Sequence, residues 1–286
     1  MTEPVQRREF SVAVLTSCLL PELARAQAAV PLEMGLLPNI SARMLLNQYQ
    51  PMRDFLARVL QRPVLLSTAP DWATFHSRVA AVAYDLIVTA PHLARLAQLD
   101  HGWSPLLQWL PDIKGLLVFA AARPVAAIAE LRGRAVVLSN PLSLVAMRGM
   151  RWLSDNGLQR DQDFSVIRLP TDDSVGNVLL RGDAAAAMLS AGEFRAIPTD
   201  VRSQLRVFTE FAEVPGFLLV ACPRVIPEQA RLIKSQLLAF VQAPSADGAA
   251  FLAATGFSGV REVQPAVLES MDIYMKVTRE MLVKTP

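Results

Sequence analysis

Apolar and amphipathic segments alternate from residue 61 to residue 98 in the order strand, loop, helix, strand, loop, helix. Val64–Ser67 and 86–88 are apolar runs of strand length, and 73–83 between them carries Phe75, Val79 and Val82 at helical spacing. Repetition of that unit builds a parallel α/β sheet whose loops open at one edge. Ligands bind outside the carboxyl ends of such strands, so 69–72 and 89–92, which hold Trp72, Pro91 and His92, are the first candidate site loops.

The alternation covers most of the chain. Leu32–Leu36 reads as a strand, and Ser41 opens a helix to Leu60 with Met44, Leu45, Tyr49, Met52, Phe55, Leu56 and Val59 on one face. Further strands are expected at 116–121, 135–138, 164–169, 184–189, 205–209 and 217–222. Helices are expected at 128–133, between Pro141 and the Asn156-Gly157 cap signal, and at 173–180, 227–241, 246–255 and 265–282. The runs 116–121 and 217–222 are continuously apolar, as buried strands are. If the first leaves one lobe and the second returns to it, residues 29–120 and 217–286 form one lobe and 121–216 an inserted second one. The two crossover strands then make a hinge over a cleft that a ligand can close.

Residues 1–28 are set apart from this pattern. Gln6-Arg7-Arg8-Glu9-Phe10 supplies a positive start, 11–20 an apolar stretch, and Ala24-Arg25-Ala26 or Ala26-Gln27-Ala28 the small-x-small pattern of signal peptidase. A signal peptide is therefore expected over 1–28, with the mature chain starting at Gln27 or Ala29 in the periplasm. The Arg pair fits either general secretory or twin-arginine export, and Leu15-Thr16-Ser17-Cys18 loosely fits a lipoprotein processing box.

Charge and cysteine content narrow the function classes. The leader contains three Arg and three Glu, so the net charge of +2 survives its removal. A near-neutral chain with no basic run argues against a nucleic-acid partner. Only Cys222 remains beyond the leader, which rules out an intramolecular disulfide, and no later apolar run reaches membrane-spanning length. There is no G-x-S-x-G, H-E-x-x-H, phosphate-loop or G-x-G-x-x-G motif, and His76, His92 and His101 lack metal-ligand spacing. No enzyme, metal or cofactor is expected.

A series of short motifs carries a family resemblance from about residue 32 to about 260. They are Leu37-Pro38-Asn39, Tyr49-Gln50-Pro51, Arg62-Pro63-Val64, Ala69-Pro70-Asp71-Trp72-Ala73-Thr74-Phe75, Tyr84-Asp85-Leu86, Ala90-Pro91-His92-Leu93-Ala94, Leu131-Arg132-Gly133, Asn140-Pro141-Leu142-Ser143 and Arg181-Gly182-Asp183-Ala184. In order and spacing they resemble the phosphate, phosphite and phosphonate-binding components of ABC transporters. The resemblance implies a type II periplasmic binding protein fold, with two α/β lobes, a hinge and a buried small ligand. It also implies a chain that works as a monomer and presents its ligand to an ABC permease. A periplasmic sensor partnered with a membrane kinase or cyclase has the same fold and is the alternative. The ligand-binding residues implied are Pro38, Asn39, Trp72, Pro91, His92, Ser139, Asn140, Ser143 and Asp172.

The resemblance departs at the ligand. The loop 139–145 keeps one hydroxyl, Ser143, where phosphonate binders carry a short Ser/Thr run. Asp172, with Asp173 beside it, replaces a His, and Ile113 replaces an aromatic residue. A dianion beside such carboxylates is repelled, so phosphate or phosphonate is not the first expectation, and Trp72 with a carboxylate suits a cationic or neutral polar ligand at least as well as an anion. Each residue also has a structural reading, with Asp172, Asp173, Ser139 and Ser143 as helix caps and Trp72 as a staple for its loop.

Overall fold

Two sheets take up the chain, which passes between them twice. The computed structural model describes residues 30–138, 140–169, 175–242 and 245–284. Strands β1 (Leu32–Leu36), β2 (Val64–Ser67), β3 (Leu86–Thr89) and β4 (Ser104–Leu110) begin the first sheet. The chain then builds the second from β5 (Ile113–Ala120), β6 (Arg134–Leu138), β7 (Phe164–Arg168), β8 (Ala186–Ser190) and β9 (Leu205–Val214). It returns to the first sheet as β10 (Leu218–Ala221) and β11 (Gly259–Glu262). The strand orders are β11-β4-β10-β3-β1-β2 and β7-β6-β8-β5-β9. β1 is parallel to β2 and β3, β6 is parallel to β7 and β8, and β10 and β5 run antiparallel to their neighbours.

The helices are α1 (Ala42–Leu60), α2 (Trp72–Ala80), α3 (Pro91–His101), α4 (Leu144–Asp155), α5 (Val175–Arg181), α6 (Ala191–Ala196), α7 (Thr199–Arg202), α8 (Pro227–Gln242), α9 (Ala246–Thr255), α10 (Pro265–Glu269) and α11 (Met275–Lys284). α1 buries Leu45, Tyr49, Met52 and Leu56, the face its sequence spacing requires. Asp71 caps α2 by accepting the Thr74 amide at 2.7 Å, and α3 starts on Pro91 and stops at Gly102, whose φ of 69° suits glycine. β3 and β8 are buried along their whole length because helices cover both faces, and each buried Leu, Ile or Val contributes about 1.5–3 kcal/mol.

Three expectations need correction. The run 116–121 does not pass between lobes: β5 pairs with β8 and β9 and lies wholly in the second sheet. The crossovers are instead the short links at 111–112 and 215–217. An apolar run marks a strand covered on both faces, and it does not say in which sheet. The single helix expected at 265–282 is broken between α10 and α11, which lets Leu268 join the cluster around Trp72 and Phe75 while Met271 and Met275 join one shared by both lobes. β4, β11, α6 and α7 were not expected. β4 is masked in the sequence by Pro105 and by Gln108, a polar residue fully buried in a strand.

Among the described residues no single helix is long and apolar enough to cross a membrane. The expected leader, Ser139 and Asp172 fall outside the described residues.

Candidate functional site

The loops that follow β1, β2 and β3 face those that follow β6 and β8, so the carboxyl edges of the two sheets confront each other across a cleft. Along one side the cleft is zipped shut. Leu96, Met271 and Met275 from the first lobe and Leu144, Val145 and Val214 from the second form one apolar cluster. Leu142, only 2% exposed, leaves its own lobe to pack with Leu37, Trp72, Phe75 and Leu93. Its carbonyl accepts a hydrogen bond from His92 Nε2 at 2.9 Å. A carbonyl can only accept, so His92 carries its proton on Nε2. Nδ1 is then a bare acceptor, buried and without a partner among the described residues. Burial lowers the His92 pKa to about 4, against the opposing pull of the Leu142 carbonyl, so the ring is neutral near pH 7.

A gap of about 30 Å³ on this side, room for a water, is lined by Trp72, Ala90 and Pro91 from the first lobe and Ser143, Ser190 and Glu193 from the second. Most of these polar groups already have partners. Trp72 Nε1 donates to the Pro38 carbonyl at 3.0 Å, which staples the β1–α1 loop to α2. Asn140 Oδ1 accepts the Leu142 amide at 2.8 Å, and Ser143 Oγ accepts the Ala146 amide at 3.0 Å as the cap of α4. Ser190 and Glu193 form a reciprocal capping box, with the Ser190 amide donating to Glu193 Oε2 at 2.6 Å. Glu193 is 7% exposed, so a carboxylate lines the gap where the two sheets meet.

The other side of the cleft is open. A cavity of about 670 Å³ runs between α1, the two crossovers, α6 and the end of α9. Its walls are mainly apolar, with Leu36, Ile40, Met44, Val88, Ile197, Phe217 and Phe257, and its polar rim includes Asn39, Gln48, Asp112, Lys114, Arg195 and Glu213. The volume lies within the range of organic-ligand sites and far above the gap on the zipped side. Burial pushes the Tyr49 hydroxyl up, which keeps it neutral at this wall.

Of the residues expected to bind ligand, Trp72, Pro91 and Ser143 come together at the small gap, whereas Asn39 lines the large cavity. Pro38, His92 and Asn140 line neither and act as hydrogen-bond partners of the surrounding loops. Sequence reasoning missed Glu193 and Arg195. The pattern Ser190-x-x-Glu193 after an apolar run was a readable signal for the first, and nothing local marked the second. Among the described residues no group of three or more His, Cys, Asp or Glu could hold a metal ion.

Comparison with known proteins places this geometry. Residues 34–268 match the family described as ABC transporter, phosphonate, periplasmic substrate-binding protein. No curated protein sequence matches the chain. A binding protein component of an ABC phosphonate transporter from Pseudomonas aeruginosa superposes with a TM-score of 0.73 at 14% identity, covering 89% of this chain and 96% of its own. The protein PhnD1 of Prochlorococcus marinus, solved with methylphosphonate, gives 0.73 at 13% identity over 88% and 98%. A Xanthomonas citri protein solved with a chloride ion gives 0.71 at 19% identity over 88% and 99%. At these identities the likeness to solved structures is one of fold.

Proposed function

The chain belongs to the family of periplasmic substrate-binding proteins of ABC phosphonate transporters, and from that premise we propose that it captures a small organic ligand between its two lobes and presents the closed form to an ABC permease. It is a binding protein rather than an enzyme, of a family exported to the periplasm. Export through the leader at 1–28 is part of the same proposal.

The observation that carries the reading is the position of the 670 Å³ cavity. Its wall is shared by α1 and α9 of the first lobe, by α6 of the second and by both crossovers, so any occupant touches both lobes at once. A ligand with contacts on both lobes favours the closed arrangement by its differential affinity for it, which is how such a receptor signals that it is loaded. The division into lobes that supports this follows the sheets: strands within 32–110 and 218–262 on one side, strands within 113–214 on the other.

Phosphonate itself is not the favoured ligand. The gap between Trp72, Ser143 and Glu193 is the size of a water and carries a carboxylate, and a dianion there would face repulsion instead of free donors. The test is a thermal-shift screen of oxyanions, amines, amino acids and vitamins on the purified protein, followed by small-angle scattering with the best compound. Tight binding at 100 times the dissociation constant adds about 2.7 kcal/mol of stability. A compound that raises the melting temperature and shrinks the radius of gyration supports the receptor reading. Stimulation of ATP hydrolysis by a permease encoded beside it would support the transport role over sensing.

A further inference from the structure

Arg195 stands apart from the other charged groups around the open cavity. It projects from α6 in the second lobe and lies across the end of α9 in the first, so close that a Cβ on Gly256 would come within 2.7 Å of its Cζ. Gly256 has a φ of 72° and no side chain, which leaves the guanidinium room against the backbone. Among the described residues no carboxylate lies within ion-pairing distance of Arg195. Of the other charged groups of the wall, Asp112 and Lys114 are paired, and Glu213 has only the field of Lys114. Asp112 accepts from Gln108 and stands 3.4 Å from Arg261, and Lys114 is bonded to Glu210 at 2.8 Å and lies in the field of Glu213. The cavity therefore combines a cation that has no ion pair among the described residues with an apolar floor made by Ile40, Met44, Ile197, Phe217 and Phe257, while Glu213, on the side of Lys114, is the lining carboxylate without an ion pair of its own.

From this combination we infer that the ligand of the interlobe cavity is an amphipathic organic monoanion, with its carboxylate on Arg195 and an aromatic or alkyl body on the apolar floor. This deepens the receptor reading and rests on it. A planar guanidinium matches a carboxylate with two parallel hydrogen bonds, and an apolar wall gains from burying a hydrocarbon body but gains nothing from a small, fully hydrated anion. The anion would also bridge α6 to the end of α9, which ties occupancy to closure. The acids of the wall argue against a free cationic head, because each already has a partner or a neighbouring cation.

The test is calorimetry on the purified protein with 2-naphthoate, octanoate, neutral 2-naphthamide and methylphosphonate, using wild type, Arg195→Gln and Ala254→Trp. Ala254 is an exposed residue of α9 on the cavity wall, so a Trp there fills space without disturbing the core. The expected result is that wild type binds 2-naphthoate or octanoate, with 2-naphthoate roughly 10-fold to 100-fold tighter than its amide. Arg195→Gln should erase that difference, and Ala254→Trp should abolish binding with an unchanged melting curve. Failure of both carboxylates to bind, equal affinity for 2-naphthoate and 2-naphthamide, or undiminished binding by Ala254→Trp would overturn the inference. Binding of methylphosphonate alone, with contraction in scattering, would also overturn it while leaving the receptor reading intact. Carboxylate binding without contraction would uphold the ligand class and retire the closing receptor.

Discussion

Asp112 and Gly216 join the two crossovers: Asp112 Oδ1 accepts the Gly216 backbone amide at 3.3 Å. The same oxygen accepts Gln108 Nε2 at 2.8 Å and faces Arg261 Nη2 at 3.4 Å, so one carboxylate gathers both links and the adjoining strands of the first sheet. Asp112→Ala would leave the Gln108 amide, on a fully buried side chain, without its acceptor. We expect a loss of about 1–3 kcal/mol, read from the midpoint of urea unfolding, and a smaller loss for Asp112→Asn, which keeps an acceptor oxygen.

Gly216 is needed for close approach rather than for a special backbone angle. A Cβ there would run into the Trp109 carbonyl oxygen, which is backbone and cannot swing aside. Gly216→Ala should therefore cost about 1–3 kcal/mol, the range for overpacking a tight site. A urea midpoint equal to that of wild type would show that the crossover can shift to accept the methyl group.

Acid should loosen the zipped side through His92. Its pKa is lowered to about 4 by burial, whereas the unfolded chain takes up the proton near pH 6.5. Between those values the unfolded state binds more protons than the native one, so stability present at neutral pH is lost as pH falls from about 6.5 towards 4. The slope for such a group is about 1.4 kcal/mol per pH unit. His76, also lowered to about 4 by burial and by the neighbouring His101 against the pull of Asp100, acts in the same direction. His92→Gln can still donate to the Leu142 carbonyl but cannot titrate, so its unfolding free energy should change less between pH 6.5 and 4.5. An unchanged slope would place the titration elsewhere.

Glu193 should set the charge preference of the small gap. A dianion held about 4 Å from a carboxylate loses on the order of 4 kcal/mol for each pair of unit charges at an effective dielectric near 20. Glu193→Gln keeps the capping-box geometry with Ser190 and removes the charge. The gap admits only a water while the lobes are zipped, so methylphosphonate must part them to enter, and calorimetry should show weak binding by wild type and less weak binding by the variant. Tight wild-type binding that the substitution does not improve would mean that the carboxylate stays outside the oxyanion's reach.

Much of the fold was legible because its periodicities are strong. Leu32–Leu36, Val64–Ser67 and the apolar face of α1 recur as expected, since burial on one or both faces dictates the residue type at each position. The placement of β5 was not legible, because an apolar run records how thoroughly a strand is covered and carries no record of its neighbours. That Trp72, Pro91 and Ser143 meet at one gap follows from their positions after strands of one parallel unit or another. The large cavity could not be read in this way. It depends on α6 meeting the end of α9, where Arg195 and Gly256 touch across 61 positions of sequence, a contact set by the closure of the lobes rather than by any local pattern.

The measurement that bears most directly on interlobe capture is hydrogen exchange of the protein with and without the compound that raises its melting temperature most. Binding between the lobes predicts slower exchange at two separated places together, the start of α1 in residues 37–49 and the α6–α7 region in residues 190–199. Both line the cavity from opposite lobes. Protection confined to one lobe, or a ligand that stabilises the protein without slowing exchange at either place, would contradict it.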